Sequence, residues 1–238
     1  MLMVLLLFIS NPLMANKVVD IKPPAGFKRL TAADNSYIKF LRNLPLKGDQ
    51  KIAMWDGTFL HEYTYSMHAV VDLPLLFNEN LEQCADFSMR LWAEYLKSID
   101  SLDKLSLYDF YGNKKPYSSS GKTFKEYLRW HMKYSNSYSI KLGAKNVNRL
   151  VDLQVGDMFV QNDSEVSIGH VSVIVDEAVN ELGLKAYLVG YSYMPAQQFH
   201  IEKASDDYGI EGWFVEGGYY RYAKDRFGLF GEPVIKRF

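Results

Sequence analysis

The chain has 238 residues, enough for one large domain or two small ones and for a substantial hydrophobic core. Lys and Arg (27) nearly balance Asp and Glu (28), and a formal net charge of −1 excludes a global field that would draw the chain to nucleic acid or anionic lipid. Hydrophobic residues at 48% with charged residues at 23% exclude a disordered or membrane-embedded chain. Met1 to Ile9 is an unbroken apolar run, followed by Ser10, Asn11, Pro12 and the small residue Ala15. That run is too short to span a bilayer and fits the apolar region of a secretory signal, although no Lys or Arg precedes it and Leu13 stands at the −3 position. Residues 1–15 are therefore expected to be a signal peptide and residues 16–238 a single α+β domain, periplasmic or secreted. No later run approaches membrane length, so no transmembrane segment is expected in the mature chain.

Residues 16 to 50 read as irregular lead-in structure, with Pro23-Pro24 and Gly26 marking a turn before the mixed stretch Tyr37 to Leu46. Met67 to Leu73 has the composition of a strand. Leu81 to Lys97 gives the clearest helical periodicity: Leu81, Cys84, Ala85, Ser88, Leu91, Trp92 and Tyr95 share one face. Asp86, Arg90 and Glu94 form an i, i+4 ladder on the other, expected to be solvated. Asn80 with Gln83 makes a capping-box pattern that predicts Asn80 as the N-cap. Leu105 to Tyr111 reads as a strand, and Ser118-Ser119-Ser120-Gly121 leads into a helix near Thr123 to Lys133. Beyond Val155 the chain becomes β-rich, with strands predicted at Met158–Gln161, His170–Asp176 and Ala186–Tyr193 and a turn at Asn180-Glu181-Leu182-Gly183. The aromatic and glycine-rich tail from Trp213 to Phe238 is expected to pack back on the domain.

The chain has one cysteine, Cys84, so it can form no internal disulfide. With Asn80 as cap, Cys84 falls in the first turn of its helix, where free N–H groups and the dipole stabilise a thiolate. The same N–H groups, with the Gln83 side chain, would suit an oxyanion in acyl transfer. Cys84 also lies on the apolar stripe, so a buried core thiol is the competing interpretation. Of the five histidines, His170 is the best placed as a base, because it opens a strand directly after Gly169, which permits close approach. His131 and His200 sit in apolar settings, and only His61 and His68 approach a metal-like spacing, so no metal and no cofactor are expected. Asp157, after Gly156, suits a turn cap.

Gly156-Asp157-Met158-Phe159-Val160, a loop, and then Gly169-His170 with its apolar strand is similar to the Gly-Asp…His pattern of NlpC-type and CHAP-type cysteine peptidases and amidases. That resemblance implies a papain-like fold, a helix packed on an antiparallel sheet with N-terminal and C-terminal extensions, acting on peptidoglycan peptides. A resemblance over nearly the whole chain is to an exported, Bacteroidetes-type family of a domain of unknown function. It rests on Gln83-Cys84-Ala85-Asp86, Arg90 to Leu96, Gly156-Asp157, Gly169-His170 and Ser192-Tyr193-Met194-Pro195-Ala196-Gln197. In that pattern a glutamine precedes the Ser-Tyr-Met-Pro-Ala-Gln block where this chain has Tyr191, and a tryptophan expected within Ser118 to Gly121 is missing. Folding the hairpin about Asn180-Glu181 places Tyr191 opposite His170, in the position of an orienting group, with Ser192 and Gln197 as substitutes.

The resulting expectation is a thiol hydrolase or amidase on an envelope amide, with a peptidoglycan peptide as substrate. Cys84 would be the nucleophile and His170 the base, with Tyr191 or Ser192 orienting the base and Gln83 and Gln197 contacting substrate or oxyanion. The alternative is a catalytically inactive envelope protein that holds glycan or peptide. No basic cluster or motif supports a nucleic-acid partner.

Overall fold

Val171, Val173, Ile174 and Val175 make a β-branched run broken only by Ser172, and the strand they build is buried on both faces and forms the axis of the molecule. The computed structural model describes residues 15–61, 64–164 and 168–238. The residues expected to form a signal peptide lie outside them, apart from Ala15. In chain order the strands are β1 (Phe27–Arg29), β2 (Met67–Val70), β3 (Ser106–Tyr108), β4 (Lys114–Pro116), β5 (Lys145–Asn146) and β6 (Met158–Gln161). They continue with β7 (His170–Asn180), β8 (Lys185–Tyr191), β9 (His200–Glu202), β10 (Gly209–Ile210), β11 (Trp213–Val215) and β12 (Val234–Arg237). The helices are α1 (Tyr37–Arg42), α2 (Cys84–Ser98), α3 (Phe124–Tyr134), α4 (Ser137–Gly143) and α5 (Gly218–Phe227).

Ten of the strands join one antiparallel sheet, ordered β10-β11-β8-β7-β6-β12-β5, with β1 on β7 and with β9 linking β8 to β2. The long β7 is shared at both edges. Its first half pairs with β6 in the register Met158↔Val173 and its last residues pair with β1 in the register Lys28↔Val179, while β8 follows its other side across a bulge between Ile174 and Asp176. β8 is shared in the same way, by β11 near its start (Val215↔Ala186) and β9 near its end (Tyr191↔His200). The start of β7, the end of β8 and the start of β9 therefore form one row, and the candidate site lies there.

This architecture corrects the expectation of a papain-like α+β fold: the protein is predominantly β. α2 lies against β7, but it and four shorter helices accompany a ten-stranded sheet. The segments read as extensions belong to the sheet itself. Phe27–Arg29 pairs with β7, and Val234–Arg237 runs between β6 and β5. The lead-in read as irregular is fixed by charge as well as by pairing. The buried Asp176 carboxylate accepts from Arg29 Nε and Arg42 Nε, each at 2.6 Å, so α1 and β1 are both tied to the bulge in β7. Among the described residues no helix is long and apolar enough to cross a membrane.

Candidate functional site

The helix carrying Cys84 starts later than its capping pattern predicts. Gln83 is the extended N-cap residue and Cys84 the first residue of α2, and the Gln83 N–H donates to Asp86 Oδ2 at 3.0 Å. Asn80 does not cap the helix because its Oδ1 is engaged elsewhere, accepting from the Ala196 N–H at 2.7 Å and from Gln83 Nε2 at 3.2 Å. That contact ties the Ser192–Gln197 block to the approach of α2. Asp86 is buried rather than solvated: Oδ1 has no hydrogen-bond partner, and burial pushes its carboxyl well above the usual range. Arg90 makes the expected i, i+4 pair with Glu94 (2.7 Å) but donates to Glu82 (2.6 Å) in place of Asp86. Asp157 accepts from the Gln154 N–H at 3.0 Å, as a turn cap does, and also pairs with Arg237 at 2.5 Å.

Cys84 lines a cleft of about 400 Å³ together with Gln83, Asp86, Gly169 and Met194, although only 6% of the residue is accessible. Its thiol donates to the Gly169 carbonyl, with Sγ 3.8 Å from the oxygen. Burial pushes the thiol up to about 12. The backbone N–H groups of Val171, Ala85 and Cys84 favour the thiolate, and the nearby Asp86 opposes it. The helix terminus thus supplies the expected donors, but desolvation outweighs them and the resting group is a neutral thiol. Gly169 is needed where it stands: a Cβ there would lie 2.1 Å from Ser137 Oγ and 2.4 Å from the Gln161 carbonyl.

His170, the first residue of β7, is fully buried. Its ring packs against Phe227 at 4.0 Å between centroids, meets Tyr191 edge-on at 5.0 Å, and lies 5.5 Å from Tyr193. Burial, reinforced by nearby His200, pulls the imidazole down to about 3, so it rests neutral. Nε2 is 3.0 Å from Ser172 Oγ, which accepts from the Tyr219 hydroxyl at 2.5 Å, while Nδ1 has no hydrogen-bond partner. The thiol therefore touches the residue before His170, and its hydrogen bond goes to that carbonyl rather than to the ring.

The other residues singled out in the sequence occupy separate positions. Tyr191 presents its ring edge to His170 but donates its hydroxyl to Glu202 at 2.7 Å. The same buried carboxylate accepts from Tyr222 at 2.9 Å and lies 3.2 Å from His200 Nε2. Ser192 closes its own turn on the Gln197 carbonyl at 2.6 Å, and Gln197 Nε2 donates to Tyr65 at 2.9 Å. Neither Ser192 nor Gln197 lines the Cys84 cleft. Sequence reasoning did not single out Ser172, Tyr219 or Glu202. Ser172 stood two residues from His170 on the same face of a strand, a signal that period-2 geometry makes visible. Among the described residues no group of three or more His, Cys, Asp or Glu could hold a metal ion.

Fold and site together define a predominantly β protein with a neutral cysteine and a neutral histidine at the meeting of a helix start and a strand start. A family profile described as "Domain of unknown function (4846)" matches residues 18–118 and 107–223, and the chain belongs to that family. Searches of curated proteins and of solved structures gave no match.

Proposed function

We propose that the protein is a thiol hydrolase of the cell envelope that cleaves an amide, with a peptidoglycan peptide as the substrate class. The observation that carries this proposal is the unpartnered Nδ1 of His170, whose Nε2 is fixed by Ser172 and Tyr219 while the cleft-lining Cys84 touches the preceding residue. Ser172 Oγ has lone pairs for both the Tyr219 hydroxyl and an Nε2–H, and that tautomer leaves Nδ1 as the proton acceptor. Because thiol and imidazole rest neutral, the proton leaves Sγ for Nδ1 as the sulfur–carbon bond forms. The imidazolium then gives that proton to the departing amine, and water hydrolyses the thioester, releasing the acid and restoring the thiol. The Cys84 N–H and the Gln83 amide would receive the oxyanion. Envelope location belongs to the same proposal and is supported by the apolar run Met1 to Ile9. A Bacteroidetes-type exported origin belongs to it through the resemblance of the Gln83–Asp86 and Ser192–Gln197 blocks.

A second assignment, an inactive envelope protein that holds glycan or peptide, is favoured by the near-complete burial of the thiol. The test is the pH dependence of Cys84 alkylation by iodoacetamide in the folded protein, with His170→Ala alongside. The hydrolase predicts alkylation without unfolding and a reactivity profile that shifts when His170 is removed. Alkylation only after unfolding would overturn it in favour of the binding protein.

A further inference from the structure

Beyond the Cys84 cleft, a larger groove of about 660 Å³ runs between the β3–β4 turn and the C-terminal end of α3. Its walls are aromatic: Phe110 and Tyr111 on the turn, Trp130 and Tyr134 on the helix. Tyr111 is 71% and Tyr134 50% exposed, so these large rings present faces to solvent instead of joining the core. We infer that this groove binds a saccharide chain.

Both walls are preorganised. Asp109 holds the turn, accepting from the Tyr111 and Asn113 N–H groups at 3.0 and 2.9 Å and pairing with Lys115 at 3.1 Å. Trp130 and Tyr134 are one helical turn apart with ring centroids separated by 5.4 Å, and α3 is fixed at its start by a Thr123–Glu126 capping box. At its end, Ser135 Oγ donates to the Tyr108 carbonyl at 2.7 Å and His131 Nδ1 lies 2.9 Å from the same oxygen, so helix and turn are pinned together. Rigid aromatic faces rimmed by hydrogen-bonding groups suit the flat C–H faces and peripheral hydroxyls of sugar rings.

The ionic groups of the lining are one carboxylate, Asp109, and two ammoniums, Lys115 and Lys133, so the groove has no strong field that would demand a highly charged ligand. Lys115 is paired with Asp109, and the Lys133 ammonium lies 5.5 Å from the Tyr134 ring. Ser135 and Asn136 line both this groove and the Cys84 cleft, so the two spaces share a wall. On the proposed function, on which this placement rests, a sugar strand in the groove would direct an attached peptide toward Cys84.

The test is calorimetric titration of the full chain with soluble N-acetylglucosamine oligomers, and with glucose oligomers for comparison. The variants are Tyr111→Ala, Tyr134→Ala and Cys84→Ser. Saturable binding is expected, weakened about tenfold by either tyrosine truncation, the usual effect of removing an aromatic anchor, and unchanged by Cys84→Ser. Both tyrosines are exposed, and circular dichroism of each variant confirms that the fold is kept. No saturable binding by either oligomer series, or binding indifferent to both tyrosine variants, would overturn the inference. The two proposals fail separately: an inert Cys84 with intact sugar binding removes the hydrolase alone, and a reactive Cys84 without sugar binding removes the groove alone.

Discussion

Tyr219 donates its hydroxyl hydrogen to Ser172 at 2.5 Å, linking α5 to the strand that begins with His170. Ser172 is the group that meets His170 Nε2, so a residue near the C-terminal end of the chain helps set the orientation of a ring in the middle of the sheet. Tyr219→Phe keeps the ring and removes this bond. A stability loss of about 1–2 kcal/mol is expected in urea unfolding. If Tyr219 positions the base, the pH profile of Cys84 alkylation moves as well, which a purely structural bond would not cause.

Asp86 and Cys84 share the first turn of α2, and the carboxylate is among the groups that raise the thiol. Asp86→Asn should therefore lower the pH at which Cys84 becomes reactive, as read by alkylation. Its effect on stability has a definite sign. A folded carboxyl raised above its unfolded value of about 3.8 contributes stability that is present at low pH and lost as pH rises through the folded value. The Asn variant lacks that loss, so its stability relative to the parent should increase between pH 4 and pH 8 in parallel urea titrations.

Gly169→Ala tests the approach of β7 to α4. With Ser137 Oγ only 2.1 Å and the Gln161 carbonyl 2.4 Å from the new methyl, the backbone must shift. Overpacking of this kind costs about 1–3 kcal/mol, measurable as a lower urea midpoint. Cys84 alkylation in the folded state should change too, because the thiol bonds to the Gly169 carbonyl.

Asp176→Ala would leave Arg29 and Arg42 beside the β7 bulge without their carboxylate. Removing one member of a buried charge cluster typically costs about 3–5 kcal/mol. The expected result is a large loss of stability together with faster amide exchange in β1 and α1, followed by hydrogen exchange.

Local pattern made some elements visible and left others hidden. Met158–Gln161 forms the predicted strand, and Thr123 caps α3 through Glu126, because both depend on neighbours in sequence. Asn80 misled for the opposite reason: a good capping residue by type, it is held by the Ala196 N–H, a partner far along the chain. The sheet was underestimated on the same grounds. Phe27-Lys28-Arg29 and Val234-Ile235-Lys236-Arg237 end in paired basic residues instead of an apolar run, and they take strand conformation by pairing with β7 and with β6 and β5. At the site, the placement of Cys84 at a helix start and His170 at a strand start was legible. The depth of their burial was not, since it depends on Phe227, Tyr193 and other side chains brought in from distant segments.

The position of β12 bears on how the protein acquires its structure. Because Val234–Arg237 lies between β6 and β5, the strand order is completed only by a segment distant in sequence from both of its neighbours. Until β12 docks, β6 has an unpaired edge and β5 has no neighbour, so the sheet stays unfinished while that contact is outstanding. Such long-range pairing implies slow folding and a period of vulnerability to wrong partners.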